Sequence, residues 1–212
     1  MKAMVLSELC GLEENQDPLE LPELPDPIPS ANEILIRVSA CGGCHTELDK
    51  IEGLAHPPRL PIVLGHQVAG RIEVTGSEAK TFRIGDRVGI AWIFSVCGTC
   101  KFCLAGNENL CPGFKAAGRD ANGGYAQYMK VAEGFAYHIP HFLNESEEVP
   151  LLCAGAIGYR SLRLSGLKDG QNLGLTGFGA SGHLVLKMVK HQYPNKKSFC
   201  LCQKCEGERV FR

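Results

Sequence analysis

A chain of 212 residues, 44% apolar and 21% charged, has ordinary globular composition and can bury one large or two modest cores. Its formal net charge of -1, with no block of Lys or Arg, gives no footprint for nucleic acid or an anionic membrane, both of which need clustered positive charge; small neutral or weakly charged molecules are the expected partners. No apolar run approaches bilayer length, and the opening Met1-Lys2-Ala3-Met4-Val5-Leu6-Ser7-Glu8 reaches an acid too soon for a secretory signal, so a cytoplasmic location is expected.

Taken in chain order, residues 3–6, 33–38, 68–74 and 87–92 are short β-like runs separated by Gly, Pro and Asp, and they predict an all-β barrel or sandwich over roughly the first 150 residues. The proline-rich segments 22–29 and 57–61 are expected to be extended connections, because proline lacks an amide donor and biases its predecessor away from helix. After Pro150 the texture changes. Residues 151–164 mix small and apolar side chains as a buried helix would, and 173–190 read as strand, glycine turn and helix, which marks a second domain. A further strand is expected at 198–202.

Eleven cysteines in a reducing compartment point to metal rather than disulfides. Cys97, Cys100, Cys103 and Cys111 form C-x2-C-x2-C-x7-C within one short stretch. Tetrahedral Zn2+ takes four thiolates, and ligands a few residues apart supply them with little loop-closure entropy; all four positions are then filled by protein, so such a site is structural. Gly98 and Gly106 let the backbone turn around the ion. The alternative is an iron–sulfur cluster, since ferredoxin-type runs also use C-x2-C-x2-C, although there the fourth cysteine follows after three residues.

Catalytic zinc keeps three protein ligands and one open position, and Cys44, His66 and Cys153 are the candidates. Each has a plainer reading alone: Cys41 and Cys44 as a redox C-x-x-C, His66 as a core histidine, Cys153 as a small helix residue. Gly177-Phe178-Gly179-Ala180-Ser181-Gly182 fits G-x-G-x-x-G between the predicted strand 172–176 and the predicted helix 181–190, where Gly177 and Gly179 would admit a pyrophosphate and Gly182 would pack the helix; a glycine turn without ligand is the alternative. The following strand ends Cys202-Gln203-Lys204. The lack of a carboxylate for ribose hydroxyls, with Lys204 adjacent, leans slightly towards NADP over NAD, though Glu206 or Glu208 would serve in a shifted register.

Together with Gly65-His66-Gln67-x2-Gly70-x5-Gly76, Gly85-Asp86-Arg87-Val88 and Gly123-Gly124-Tyr125-Ala126-Gln127-Tyr128, these motifs resemble the zinc-dependent medium-chain alcohol dehydrogenases over essentially the whole chain. The resemblance implies a mainly β GroES-like catalytic domain with a structural-zinc lobe (1–155), then the first β-α-β portion of an α/β Rossmann domain (156–212). It implies one catalytic zinc on Cys44, His66 and Cys153 and one structural zinc on the four clustered cysteines. The reaction it implies is hydride transfer between an alcohol, or its aldehyde or ketone product, and NAD or NADP. His45 would hold cofactor phosphate and Thr46 would begin a proton relay.

Three positions depart from that pattern: Gln67 stands where an acid is common, which would remove a charge near the metal, Asp49 where a relay histidine is common, and Ile157 where a threonine lies near the nicotinamide. A doubly wound domain needs about six parallel strands, so the chain is expected to be C-terminally truncated, and the homo-oligomers of full-length relatives are not assumed for it. A non-catalytic zinc-binding remnant serving as a structural or interaction module is the alternative function, and a thiol-redox protein using Cys41 and Cys44 comes third.

Overall fold

The computed structural model of the chain describes residues 1–194, together with the strands at 198–201 and 209–211. It divides into two units, Met1–Leu152 and Cys153–Arg212. Strand pairing organises the first. β1 (Val5–Leu6) pairs with β2 (Leu19–Glu20); β3 (Glu33–Gly42) runs into the short helix α1 (His45–Ile51), and β4 (Ile62–Val63) returns to the other side of β1. β5 (Gln67–Thr75) and β6 (Arg87–Ile90) follow, then β7 (Ile93–Ser95), the one-turn helix α2 (Lys101–Leu104) and β8 (Lys115–Ala116), with β7 and β8 paired. β9 (Tyr128–Ala132) and β10 (Ala136–His138) complete an antiparallel five-stranded sheet in the order β10-β6-β5-β3-β9, and helix α3 (Glu145–Glu148) comes near the end of the unit.

The expected β-rich first domain is therefore present, and its core is what the apolar runs supply. Ile34, Ile36, Val68, Ile72, Val88, Ile90, Met129, Val131 and Ala136 lie in one buried cluster across the five strands. β9 shows the period of two directly, Met129 and Val131 buried between less buried neighbours. β3 runs beyond the apolar segment at 33–38 because Ala40, Cys41 and Gly42 pair with Ala69, Val68 and Gln67; cross-strand hydrogen bonding extends a strand whose own residues carry little β propensity. The run at 87–92 instead stops at Ile90.

Gly76 closes the turn after β5, where a Cβ would come within 2.1 Å of the Ser30 carbonyl oxygen and 2.4 Å of that of Ala31. Backbone cannot yield as a flexible side chain can, so Gly76→Ala is expected to destabilise the protein by about 3 kcal/mol. Denaturant unfolding checks this; a loss under about 1 kcal/mol would refute the packing argument.

In the second unit, α4 (Ala154–Leu164) packs on α5 (Ala180–Gln192), and β11 (Leu173–Thr176) lies parallel to β12 (Ser198–Leu201), as a βαβ unit requires. Two expectations change. Helix 151–164 is not buried all round: Ala154, Gly158 and Leu162, four residues apart, form one buried stripe, while Ile157, Tyr159 and Leu164 are exposed. A third strand, β13 (Arg209–Phe211), runs antiparallel to β12 where the sequence predicts only a β-α-β portion. Among the described residues no helix is long and apolar enough to cross a membrane.

Candidate metal centres

Cys44 is the N-cap of α1, in extended conformation. The Thr46 amide donates to its Sγ at 3.4 Å, and the Cys44 amide donates to Glu47 Oε2 at 3.0 Å. This is a capping box with cysteine in the place of serine, and an amide aimed at sulfur favours the thiolate. The same helix turns Glu47 and Lys50 inward, both buried. Glu47 Oε1 lies 2.6 Å from His66 Nδ1 and 3.2 Å from Lys50 Nζ.

A carboxylate only accepts, so Nδ1 carries the proton and Nε2 presents its lone pair, 3.7 Å from Cys44 Sγ. Trp92 meets the His66 ring edge-on at 4.9 Å between centroids, and Lys50 Nζ lies 5.0 Å from the Trp92 ring. Burial would raise the Glu47 pKa, but the His66 hydrogen bond and the nearby charges hold it at about 2. For His66 burial opposes the charged form, and the bonds to Cys44 and Glu47 outweigh it, raising the pKa.

These atoms fit a zinc ion. Tetrahedral coordination with Zn–S of roughly 2.3 Å and Zn–N of roughly 2.0 Å separates sulfur from nitrogen by about 3.5 Å, near the 3.7 Å observed. The Gln67 departure is also corrected: the carboxylate on His66 comes from Glu47. Sequence reasoning missed Glu47, Lys50 and the ring role of Trp92; the acid three residues after Cys44 was the available signal for both the helix and the carboxylate.

Thr46 sits half-buried in the first turn of α1, and exposed His45 faces Asp49 at 3.7 Å one turn on. Cys153, half-buried, follows directly on Leu152 and is the N-cap of α4, where its carbonyl accepts from the Ile157 amide. Cys41 is pushed up to about 12 by burial.

The Sγ atoms of Cys97, Cys100, Cys103 and Cys111 lie within 4.8 Å of one another, with separations of 3.5 Å (Cys111–Cys97), 3.6 Å (Cys100–Cys103) and 3.9 Å (Cys97–Cys103). A Zn–S tetrahedron has edges of roughly 3.8 Å. The Cys100 amide donates to Cys97 Sγ, and those of Cys97 and Gly113 to Cys111 Sγ. Amides of Thr99 and Cys100 bring the Cys97 thiol down to about 6; Cys103 is pushed up to about 12 by desolvation and then by its bond with the Cys100 thiol. Four crowded thiols resist joint ionisation, and a divalent cation is what lets them all ionise.

In the second unit Gly177 (φ +78°) ends β11, Gly179 is the N-cap of α5, and a Cβ on Gly182 would meet the Gly177 carbonyl at 3.0 Å. The three glycines thus line a strand-to-helix turn. Lys204, and with it Cys202, Gln203, Glu206 and Glu208, lies outside the described residues.

Known proteins resemble this chain in sequence and fold. The family described as alcohol dehydrogenase GroES-like domain matches residues 30–141. A probable alcohol dehydrogenase, AdhA, of Mycobacterium tuberculosis is 44% identical over 180 residues, covering 82% of this chain and 52% of that protein. A cinnamyl alcohol dehydrogenase of Sorghum bicolor superposes with a TM-score of 0.85 at 26% identity, over 96% of this chain and 58% of that one. A zinc-binding dehydrogenase of Sinorhizobium meliloti bound to NADP superposes with a TM-score of 0.79 at 28% identity, over 91% and 53%. The chain spans about half the length of the curated relatives it matches.

Proposed function

Since the chain belongs to the zinc-dependent medium-chain alcohol dehydrogenase family, we propose that it is the metal-bearing part of an oxidoreductase that transfers a hydride between an alcohol, or its aldehyde or ketone product, and a nicotinamide cofactor. The observation that carries this is the Cys44–His66 pair, with Glu47 fixing the imidazole so that Nε2 faces the thiol. In this reading Cys44, His66 and Cys153 hold a catalytic zinc and leave one position open, while Cys97, Cys100, Cys103 and Cys111 hold a structural one. Zinc held there would supply a Lewis acid for an alcohol oxygen, and a bound nicotinamide would supply the hydride acceptor.

The chain's own groups do the rest. The Thr46 hydroxyl accepts the alcohol proton and passes it on, which its place beside Cys44 in the first turn of α1 allows. The turn of Gly177, Gly179 and Gly182 binds the cofactor diphosphate at the start of α5; His45 is a cofactor-binding residue on the family resemblance alone. Lys204 inclines the choice slightly towards NADP. Residues 1–155 act as the GroES-like catalytic domain and 156–212 as the Rossmann portion.

A second reading, a zinc-binding structural or interaction module, is favoured by one fact: all four ligands of the closed site lie in the first unit and need nothing beyond it. Fluorescence titration with NADPH and NADH separates the two. Zinc-loaded protein should bind cofactor, and Gly179→Val, which crowds the approach of the pyrophosphate, should weaken binding at least roughly tenfold. No binding by the unaltered chain would favour the module.

A further inference from the structure

Lys50 has no part in the chemistry above, yet it is wholly buried. Taking an ammonium out of water costs several kcal/mol unless it is paired, and a methionine or leucine beside Ile51 would fill the same space without that cost. Lys50 therefore answers to something a hydrocarbon could not supply. Its Nζ lies 3.2 Å from Glu47 Oε1 and 5.0 Å from the Trp92 ring centroid, and those two groups also touch His66, at 2.6 Å from Oε1 to Nδ1 and 4.9 Å between ring centroids. His66, Glu47, Lys50 and Trp92 form a closed ring of contacts around one imidazole.

Two donors on Oε1 and the Cys44 amide on Oε2 fix the carboxylate from both ends. The carboxylate fixes the tautomer and tilt of His66, because Nδ1–H must point at Oε1.

We propose, on the reading that Cys44 and His66 bind a metal ion, that Lys50 is a positioning residue of that centre, acting through Glu47 to hold the His66 imidazole with Nε2 turned to the ion. Partners of this kind around a ligating histidine typically change metal affinity by roughly 10- to 100-fold.

The test uses Lys50→Met, Glu47→Gln and the double variant, each titrated with cobalt(II) and zinc against a chromophoric chelator. The closed cysteine site serves as internal control, and the emission of Trp92, the one tryptophan of the chain, is followed during metal addition. Each single substitution should weaken the open site by roughly 10- to 100-fold, alter the Trp92 response and leave the closed site unchanged. The double variant should bind no more weakly than Glu47→Gln alone, because Lys50 acts through the carboxylate already removed.

Losses that multiply in the double variant, or an open site unchanged by Lys50→Met, would overturn the proposal while leaving the metal reading intact. If Lys50→Met fails to fold because Glu47 is left unpaired, the double variant, which buries no charge at this pair, is compared with Glu47→Gln: equal affinity supports the proposal and a further tenfold loss overturns it. Unaltered protein with an ion in the closed site alone overturns both the metal reading and the role of Lys50.

Discussion

Replacing Cys111 by serine is expected to empty the closed site and unravel the lobe around it while the five-stranded sheet stays folded. No residue from 97 to 110 is buried, so apolar burial adds little to holding this segment. What remains is a few turn bonds, such as Asn107 to the Phe102 carbonyl, and the β7–β8 pair at the base. Structural zinc contributes an apparent 10–16 kcal/mol, roughly, to the folding of small zinc-finger peptides, far more than such contacts supply. Cys111 is also the best anchored of the four, buried and accepting two amides. The main cluster of Ile34, Ile36, Val88 and Ile90 has no member in the lobe. Limited proteolysis with fragment mapping should show cleavage between 97 and 111 accelerated at least roughly tenfold, which needs only about 1.4 kcal/mol of lost local stability. A lobe still protected in the serine variant would mean that metal does not hold it.

On the proposed function, substitution at His66 should abolish metal binding at the open site. Two variants separate chemistry from stability. His66→Ala deletes the ligand nitrogen and also strips Glu47 of its 2.6 Å partner, leaving a buried carboxylate on fewer donors, a loss of about 3 kcal/mol in stability. His66→Asn keeps an amide that can donate to Glu47 but offers no imidazole, so it should lose the metal with a smaller loss of stability. Equal metal content in His66→Asn and unaltered protein would exclude His66 as a ligand. Acid should act late on this network. Glu47 falls from an ordinary 4.5 to about 2, so the stability its ionised form contributes is complete above pH 4.5 and is lost only as pH falls from there towards 2.

The closed site was legible because its ligands are local: C-x2-C-x2-C-x7-C places four thiols on one short segment whatever surrounds it. The apolar runs at 33–38 and 68–74 likewise announced β3 and β5, since strand period and burial coincide there. The ring around His66 was not legible. Its members come from positions 47, 50, 66 and 92, and contacts between distant segments leave no periodic trace. Helix α1 escaped because cysteine is not among the usual N-caps, so the capping box starting at Cys44 was not recognised. Gln67 suggested a lost carboxylate because the neighbour in sequence was considered, whereas the neighbour in space, Glu47, supplies it. The burial of α4 was overcalled because small residues permit close packing on any face, and Gly158 against Val185 shows which face is used.

A count of metal per chain tests the two proposed zinc sites, one closed by four cysteines and one left open, most directly. Mass-spectrometric elemental analysis of purified protein, normalised to chain concentration, should find about two zinc ions. About one zinc would remove the open site and the reaction proposed for it, and iron in place of zinc would contradict both.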